Sequence, residues 1–354
     1  MKRNYLIAVR MALFGIGLVA ANSLSAQNPN VRATTSPDGE RFAKLERYTP
    51  NHRTVTNLLT RYPLLEKVKN DCMTPKNAGI TNVHSTIAAP TNASAAWRNV
   101  ARTADGRELW GNITYNSSWE SYDSRGIYTF NASSPLNATM LSTTGSYYME
   151  GNGGAVFQDD KLYITRWFKG GPYYYIYINV YDTDTWTQLS GDEIDDITFI
   201  ASETATNTAT GITYGEFYNS DATGFVLGTV DYATMTRKDF GTSDNTYVAL
   251  GVTNDNVLYG VATDGNLYSI STTDGTETLI GSTGVNVATT DGGHYGQSGE
   301  IDQQTGVFYW VCKDANKQTS LYTVDLSTGA ATKVADFSGE ETVYGLYVPT
   351  RWRN

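Results

Sequence analysis

The chain is predicted to be an all-β, five-bladed β-propeller closed by pairing of N- and C-terminal strands, with an irregular, partly helical N-terminal extension. Three observations predict it: an apolar strand with an aromatic near its start recurs five times, a second strand ending in a polar turn follows each one, and a lone strand at the C-terminal end matches a strand missing from the first unit.

The first recurring unit is Leu109-Trp110-Gly111, Leu162-Tyr163-Ile164, Ile212-Thr213-Tyr214-Gly215, Leu258-Tyr259-Gly260 and Val307-Phe308-Tyr309-Trp310. The spacing of about 45 to 55 residues is that of a four-stranded blade. The second unit is Ile127 to Asn131, Ile178 to Asp182, Leu227 to Asp231, Leu267 to Ser271 and Leu321 to Asp325. Its closing Asn, Asp or Ser can hydrogen-bond nearby backbone and so favours a tight turn. Short outer strands follow around Trp186 to Leu189, Thr234 to Arg237, Thr278 to Ile280 and Thr332 to Val334, and leading strands are expected near Gly154 to Phe157, Ile197 to Ala201, Tyr247 to Val252 and Gln297 to Ile301. The first unit lacks a leading strand, and Thr342 to Val348 supplies one with nothing after it. Joining the two closes the ring and leaves no open sheet edge, whereas an open solenoid or truncated sixth blade would leave exposed edges.

The chain divides into a signal peptide at 1–26, an N-terminal extension or prosegment at 27–105, the propeller at 106–349 and a short tail at 350–354. Lys2 and Arg3, the apolar run from Leu6 to Ala21 and the small-residue exit at Ser23 to Ala26 are the pattern of a secretory signal. The apolar run is short for a membrane span. The mature chain is therefore expected to be secreted or periplasmic, possible association with the cell surface included, and not membrane-spanning; no cysteine after the cleavage region suggests a lipid anchor. Within the extension, Thr54 to Lys69 reads as a helix that starts or kinks at Pro63.

The 354 residues are 18% charged, with a net charge of -10. Nucleic acid and anionic membrane partners demand clustered Lys and Arg, so neither is expected. Cys72 and Cys312 could form a disulfide in an oxidising compartment or remain two free thiols. His52, His84 and His294 stand at unrelated spacings, so no metal and no cofactor is expected.

The blade units, notably Asn266 to Gly275 and Ser320 to Gly329, resemble the propellers of secreted bacterial proteins, in the style of the kelch, NHL and quinoprotein-like families. The resemblance covers 107–349 and specifies the blade rather than an activity. It implies adhesion or carbohydrate binding as a class of function. Such modules often accompany anchoring domains, and an end at Asn354 weakens a surface-anchored version.

Chemistry in a propeller is sought at the channel and the loop face. Glu150, Glu203, Glu300 and Glu340 lie on or beside leading strands, although the repeats give them no shared position. Converging carboxylates could act on a glycosidic bond, and Glu150, Glu203 and Glu300 are the catalytic residues if the chain is an enzyme; the alternative is unrelated surface acids. Flat aromatic rings suit sugars and protein partners. Trp167-Phe168-Lys169-Gly170-Gly171-Pro172 reads as a strand-to-strand loop, making Trp167 and Phe168 ligand-binding candidates with His294 and Tyr295, while the remaining aromatics are assigned to packing. Asp182 to Thr185 lacks a full calcium loop and reads as a blade turn. No nucleophile elbow, phosphate loop or dinucleotide fingerprint occurs. The expected function is a secreted, non-catalytic binding module for a glycan or extracellular protein, with a glycan-active hydrolase or lyase and a structural fragment of a multi-module surface protein as the alternatives.

Overall fold

The computed structural model describes residues 106–116, 125–144, 150–158, 160–170, 173–194, 196–220, 224–288 and 296–349. The expected signal peptide, the extension with its expected helix, Cys72, His294, Tyr295 and the tail lie outside these residues.

Twenty strands form five four-stranded antiparallel sheets. Blade 1 holds β1 (Glu108–Asn116), β2 (Gly126–Asn131) and β3 (Ser134–Thr143), and its innermost strand is β20 (Glu341–Tyr347), the last of the chain. Blade 2 is β4 (Glu150–Gln158), β5 (Lys161–Gly170), β6 (Tyr173–Asp182) and β7 (Gln188–Ile194). Blade 3 is β8 (Ala201–Asn207), β9 (Ile212–Tyr218), β10 (Phe225–Asp231) and β11 (Thr236–Thr242). Blade 4 is β12 (Tyr247–Val252), β13 (Leu258–Ala262), β14 (Asn266–Ile270) and β15 (Glu277–Ser282); blade 5 is β16 (Ser298–Asp302), β17 (Val307–Lys313), β18 (Thr319–Val324) and β19 (Ala331–Asp336). β20 pairs with β1 in antiparallel register, Trp110 opposite Tyr347 and Ile113 opposite Val343. The orphan strand and the incomplete first unit thus complete each other.

The polar residues that end the recurring strands tie the turns beneath them. Asp182 Oδ1 accepts from the Asp184 and Thr185 amides, Asp231 Oδ1 from Ala233 and Thr234, and Asp325 Oδ1 from Ser327. The side chain replaces a backbone partner, which is why Asp recurs there.

Period-two alternation gives each strand two apolar faces, and each face serves a different seam. On β5, Leu162 and Ile164 join the cluster with blade 1, while Tyr163 joins the cluster with blade 3. Five such clusters lie at the five seams between neighbouring blades. The seam of blades 1 and 2 is aromatic: Phe157 stacks on Tyr347 at 3.6 Å between centroids, and Trp110 meets Trp186 edge-on at 4.7 Å. Each such side chain, fully buried, contributes on the order of 1.5–3 kcal/mol by leaving water. Trp110, at 4% exposure, is a core residue.

Burial also grades from axis to rim. Every residue of β8, β12, β16 and β20 is buried, whereas β19 alternates between intermediate and exposed. A buried salt bridge, Arg107 Nη2 to Asp302 Oδ1 at 2.6 Å, fastens the segment before β1 to the end of β16 and so ties blade 1 to blade 5.

Two local expectations are corrected. Ile197–Phe199 is a 3-10 helix rather than a leading strand, because Asp196 caps it by accepting from the Thr198 amide, and the inner strand begins at Ala201. Trp167 and Phe168 do not belong to a loop: they lie in the ladder of β5, opposite Ile176 and Tyr175 of β6, and the strand runs on to Gly170.

Candidate functional site

Each blade is an antiparallel meander, so the connections leading into the inner strands and those joining second to third strands open at one end of the ring. The starts of all five inner strands share this end, and the far ends of the second strands reach it too. Glu150 begins β4, and Trp167 and Phe168 sit near the end of β5, paired with Gly151 and Glu150 respectively. The structure therefore places three of the residues singled out in sequence on one corner of this loop end. His294 and Tyr295 fall outside the described residues.

Glu203 and Glu300 lie on the inner strands of blades 3 and 5, two residues apart in the blade register, since Glu300 stands opposite Tyr309 as Ala205 stands opposite Tyr214. They face the axis, yet they are only 1% and 4% exposed. The axis is closed around them. Glu203 Oε1 accepts from Ser298 Oγ at 3.0 Å, across the ring from blade 5, and from the Thr204 amide at 3.1 Å. Ser298 Oγ in turn accepts from the Leu346 amide of β20 at 2.8 Å, so one hydroxyl links three blades. Glu300 Oε1 accepts from the Ile301 amide at 3.0 Å.

Burial pushes both carboxyls well above the usual carboxylate range, and the charge of Glu203 raises Glu300 further. A group removed from water favours its neutral form. Both side chains belong to an internal hydrogen-bonded plug.

The opposite end of the axis is sealed by Gln303. Its Nε2 donates to the carbonyls of Thr206 at 2.7 Å and Val252 at 3.1 Å, and its Oε1 accepts from the Thr208 amide at 2.8 Å. Between the two plugs the inner strands approach so closely that side chains are excluded. A Cβ on Gly345, whose φ is +56, would lie 2.1 Å from Ala155 Cβ, and one on Gly299 would lie 2.6 Å from Ala249 Cβ.

The other acids are also engaged. Glu340 stands 3.7 Å from Lys313 and 3.9 Å from Lys317, and Lys313 Nζ donates to Thr342 Oγ1 at 3.1 Å. Glu341 is buried and pushed up to about 7. Glu216, which the sequence did not single out, is fully buried on β9; its Oε2 accepts from Ser202 Oγ at 2.5 Å and the Tyr247 amide at 3.1 Å. Burial raises it to about 8. Only its place in an alternating strand next to the seam with blade 4 could have signalled this.

Cys312 is a free thiol, fully buried among Val248, Phe308 and Trp310, and burial pushes it up. No cluster of three or more metal-ligating side chains occurs among the described residues, and none of their helices is long and apolar enough to cross a membrane.

No protein-family profile matches the chain, and no curated protein matches it. Among solved structures it is similar to TolB from Acinetobacter baumannii, with a TM-score of 0.42 and 10% identity over 67% of this chain and 55% of that one. It is also similar to a putative 6-phosphogluconolactonase from Bacteroides uniformis ATCC 8492, with a TM-score of 0.36 and 10% identity over 66% of this chain and 82% of that one. The chain thus covers little more than half the length of the TolB chain. Likenesses this distant carry nothing about activity or partner, and the chain is described by its own architecture: a five-bladed β-propeller closed by its last strand.

Proposed function

We propose that the chain is a secreted, non-catalytic binding module whose loop end recognises a glycan or an extracellular protein. The observation that carries this reading is the sealed axis: Ser298 with Glu203 at one end and Gln303 at the other fill it with internal hydrogen bonds. Glu203 is spent on holding the ring together and Glu300 is buried beside the axis, and the resource that remains is the rim of the loop end. Trp167 and Phe168 lie at that rim by their place on β5. A net charge of -10 favours neutral or basic partners over polyanions.

The test is a glycan array probed with the mature chain and with Trp167→Ala and Phe168→Ala variants, backed by capture from an extracellular protein fraction. Saturable binding weakened about tenfold or more by either substitution supports the reading, that being the loss expected on removing an aromatic anchor. Binding indifferent to both substitutions contradicts this corner as the point of contact, and an array with no saturable binding contradicts the glycan reading.

A further inference from the structure

The outer side of the seam between blades 4 and 5 holds a cleft of about 440 Å³ at the loop end, a volume within the range of small-ligand sites. Its floor is the half-buried ring of Tyr322 on β18, backed by the fully buried indole of Trp310 at 5.7 Å between centroids. Its walls are the segment after β15, with Asn286, and the β17–β18 turn, with Asp314 and Asn316. Lys333 of β19 closes the outer side, its Nζ 5.9 Å from the centroid of the Tyr322 ring.

The walls are built before any ligand arrives. The Ala315 amide donates to the Asn286 carbonyl at 2.9 Å and the Ala288 amide to the Lys313 carbonyl at 2.8 Å, so the two loops are stitched together. Asp314 Oδ1 accepts from the Asn316 and Gln318 amides, both at 2.9 Å, which fixes the turn and leaves the second carboxylate oxygen as an acceptor. Lys333 is held at the rim by Asp336 Oδ1 at 2.9 Å. Little ordering is needed on binding, and preorganisation of this kind favours affinity.

The chemistry presented is mixed at short range. The Lys333 ammonium lies under the influence of both the Asp336 and the Asp314 carboxylates, two primary amides offer both donors and acceptors, and a phenol ring supplies a flat apolar surface with a polar edge. An anionic ligand would meet Asp314 and a cationic one would meet Lys333. A pyranose matches both features: its vicinal hydroxyls each donate and accept, and its C–H face lies on an aromatic ring. We infer that the cleft formed by Tyr322, Asp314, Asn286, Asn316 and Lys333 is a binding subsite for a neutral hexopyranose unit of a glycan. This rests on the reading that the chain binds glycans, and it locates a site distinct from the corner carrying Trp167 and Phe168.

The experiment is a saturation-transfer and amide-shift NMR titration of the full mature chain with the methyl glycosides of glucose, galactose, mannose and N-acetylglucosamine. Wild type is compared with Tyr322→Ala, Tyr322→Phe, Asn316→Ala and Trp167→Ala. Asn316 is exposed on a turn, so its variant tests the site even if Tyr322→Ala proves unstable. The expected result is saturable binding by at least one probe, with shifts at the 284–286 and 315–316 amides. Affinity should fall at least tenfold in Tyr322→Ala and severalfold in Asn316→Ala, and should persist in Tyr322→Phe and Trp167→Ala. Binding that survives Tyr322→Ala and Asn316→Ala but vanishes in Trp167→Ala overturns the cleft and keeps the loop-end reading. Silence from all four probes overturns the cleft alone, since the array still tests the other corner.

Discussion

Replacing Glu216 by Gln should change how the stability of this protein depends on pH, and the size of the change follows from where the carboxyl sits. Glu216 is fully buried, and although Oε2 receives two hydrogen bonds, Oε1 has none among the described residues. Burial raises the group from 4.5 to about 8, and the nearby Glu277 adds to the rise. The folded state therefore holds a proton that the unfolded state releases near pH 4.5. Stability from this group is fully present below that point, declines as pH rises, and is gone above about pH 8. At about 1.4 kcal/mol per pH unit, the whole interval corresponds to about 5 kcal/mol. Glu203, Glu300 and Glu341 act in the same direction. Asp325 and Asp336, held low by hydrogen bonds from Ser327 and Ser320, act in the opposite one, but only below the ordinary aspartate range, where stability is lost as pH falls. Urea unfolding at intervals from pH 5 to pH 8 isolates the glutamates. Wild type should lose stability steadily with rising pH, and Glu216→Gln, uncharged throughout, should gain about 4 kcal/mol relative to wild type across that range. Parallel curves for the two proteins, or a wild type that grows more stable toward pH 8, would refute the reasoning.

Two further substitutions probe the closure of the ring. Arg107→Ala leaves the buried Asp302 carboxylate with only its local bonds from Gln304 and Thr305 and should cost about 3 kcal/mol in chemical unfolding, while the double change Arg107→Met with Asp302→Asn should recover part of it; a single change without measurable cost would mean that the pair does not fasten blades 1 and 5. Gly345→Ala places a Cβ against Ala155 at a positive φ and should destabilise by more than about 2 kcal/mol, read as a lowered midpoint, whereas Gly284→Ala, at φ +74 with no neighbour within 4 Å, should pay only the backbone strain of about 1 kcal/mol.

The fold was legible because a blade is a local unit repeated five times, and repetition turns weak strand signals into one strong period. The pairing of Thr342–Val348 with the first unit could be read from two incomplete ends. Local mimicry defeated the reading elsewhere. Ile197 to Ala201 is apolar enough for a strand, but the Asp196 side chain and its bonds to Thr198 turn the backbone into a helical turn. Lys169-Gly170-Gly171-Pro172 suggested a loop, and the error lay in extending it over Trp167 to Gly170, which the ladder to β6 holds in the strand.

The site was far less legible. That Glu203 and Glu300 lie on inner strands was readable; that they are buried was not, since their partners come from across the ring, Ser298 being 95 residues from Glu203. The cleft on Tyr322 has the same character. Asn286, Asp314 and Lys333 belong to three separate turns and strands, and only the blade seam brings them to one place.

The most direct test of the central claim is to incubate the mature chain with every glycan it retains on the array and to follow the products by mass spectrometry. The sealed axis and its buried acids predict saturable retention with each glycan recovered intact. Release of a shortened product, abolished by Glu203→Gln or Glu300→Gln in a chain that still folds, would contradict the account and make the channel carboxyls catalytic.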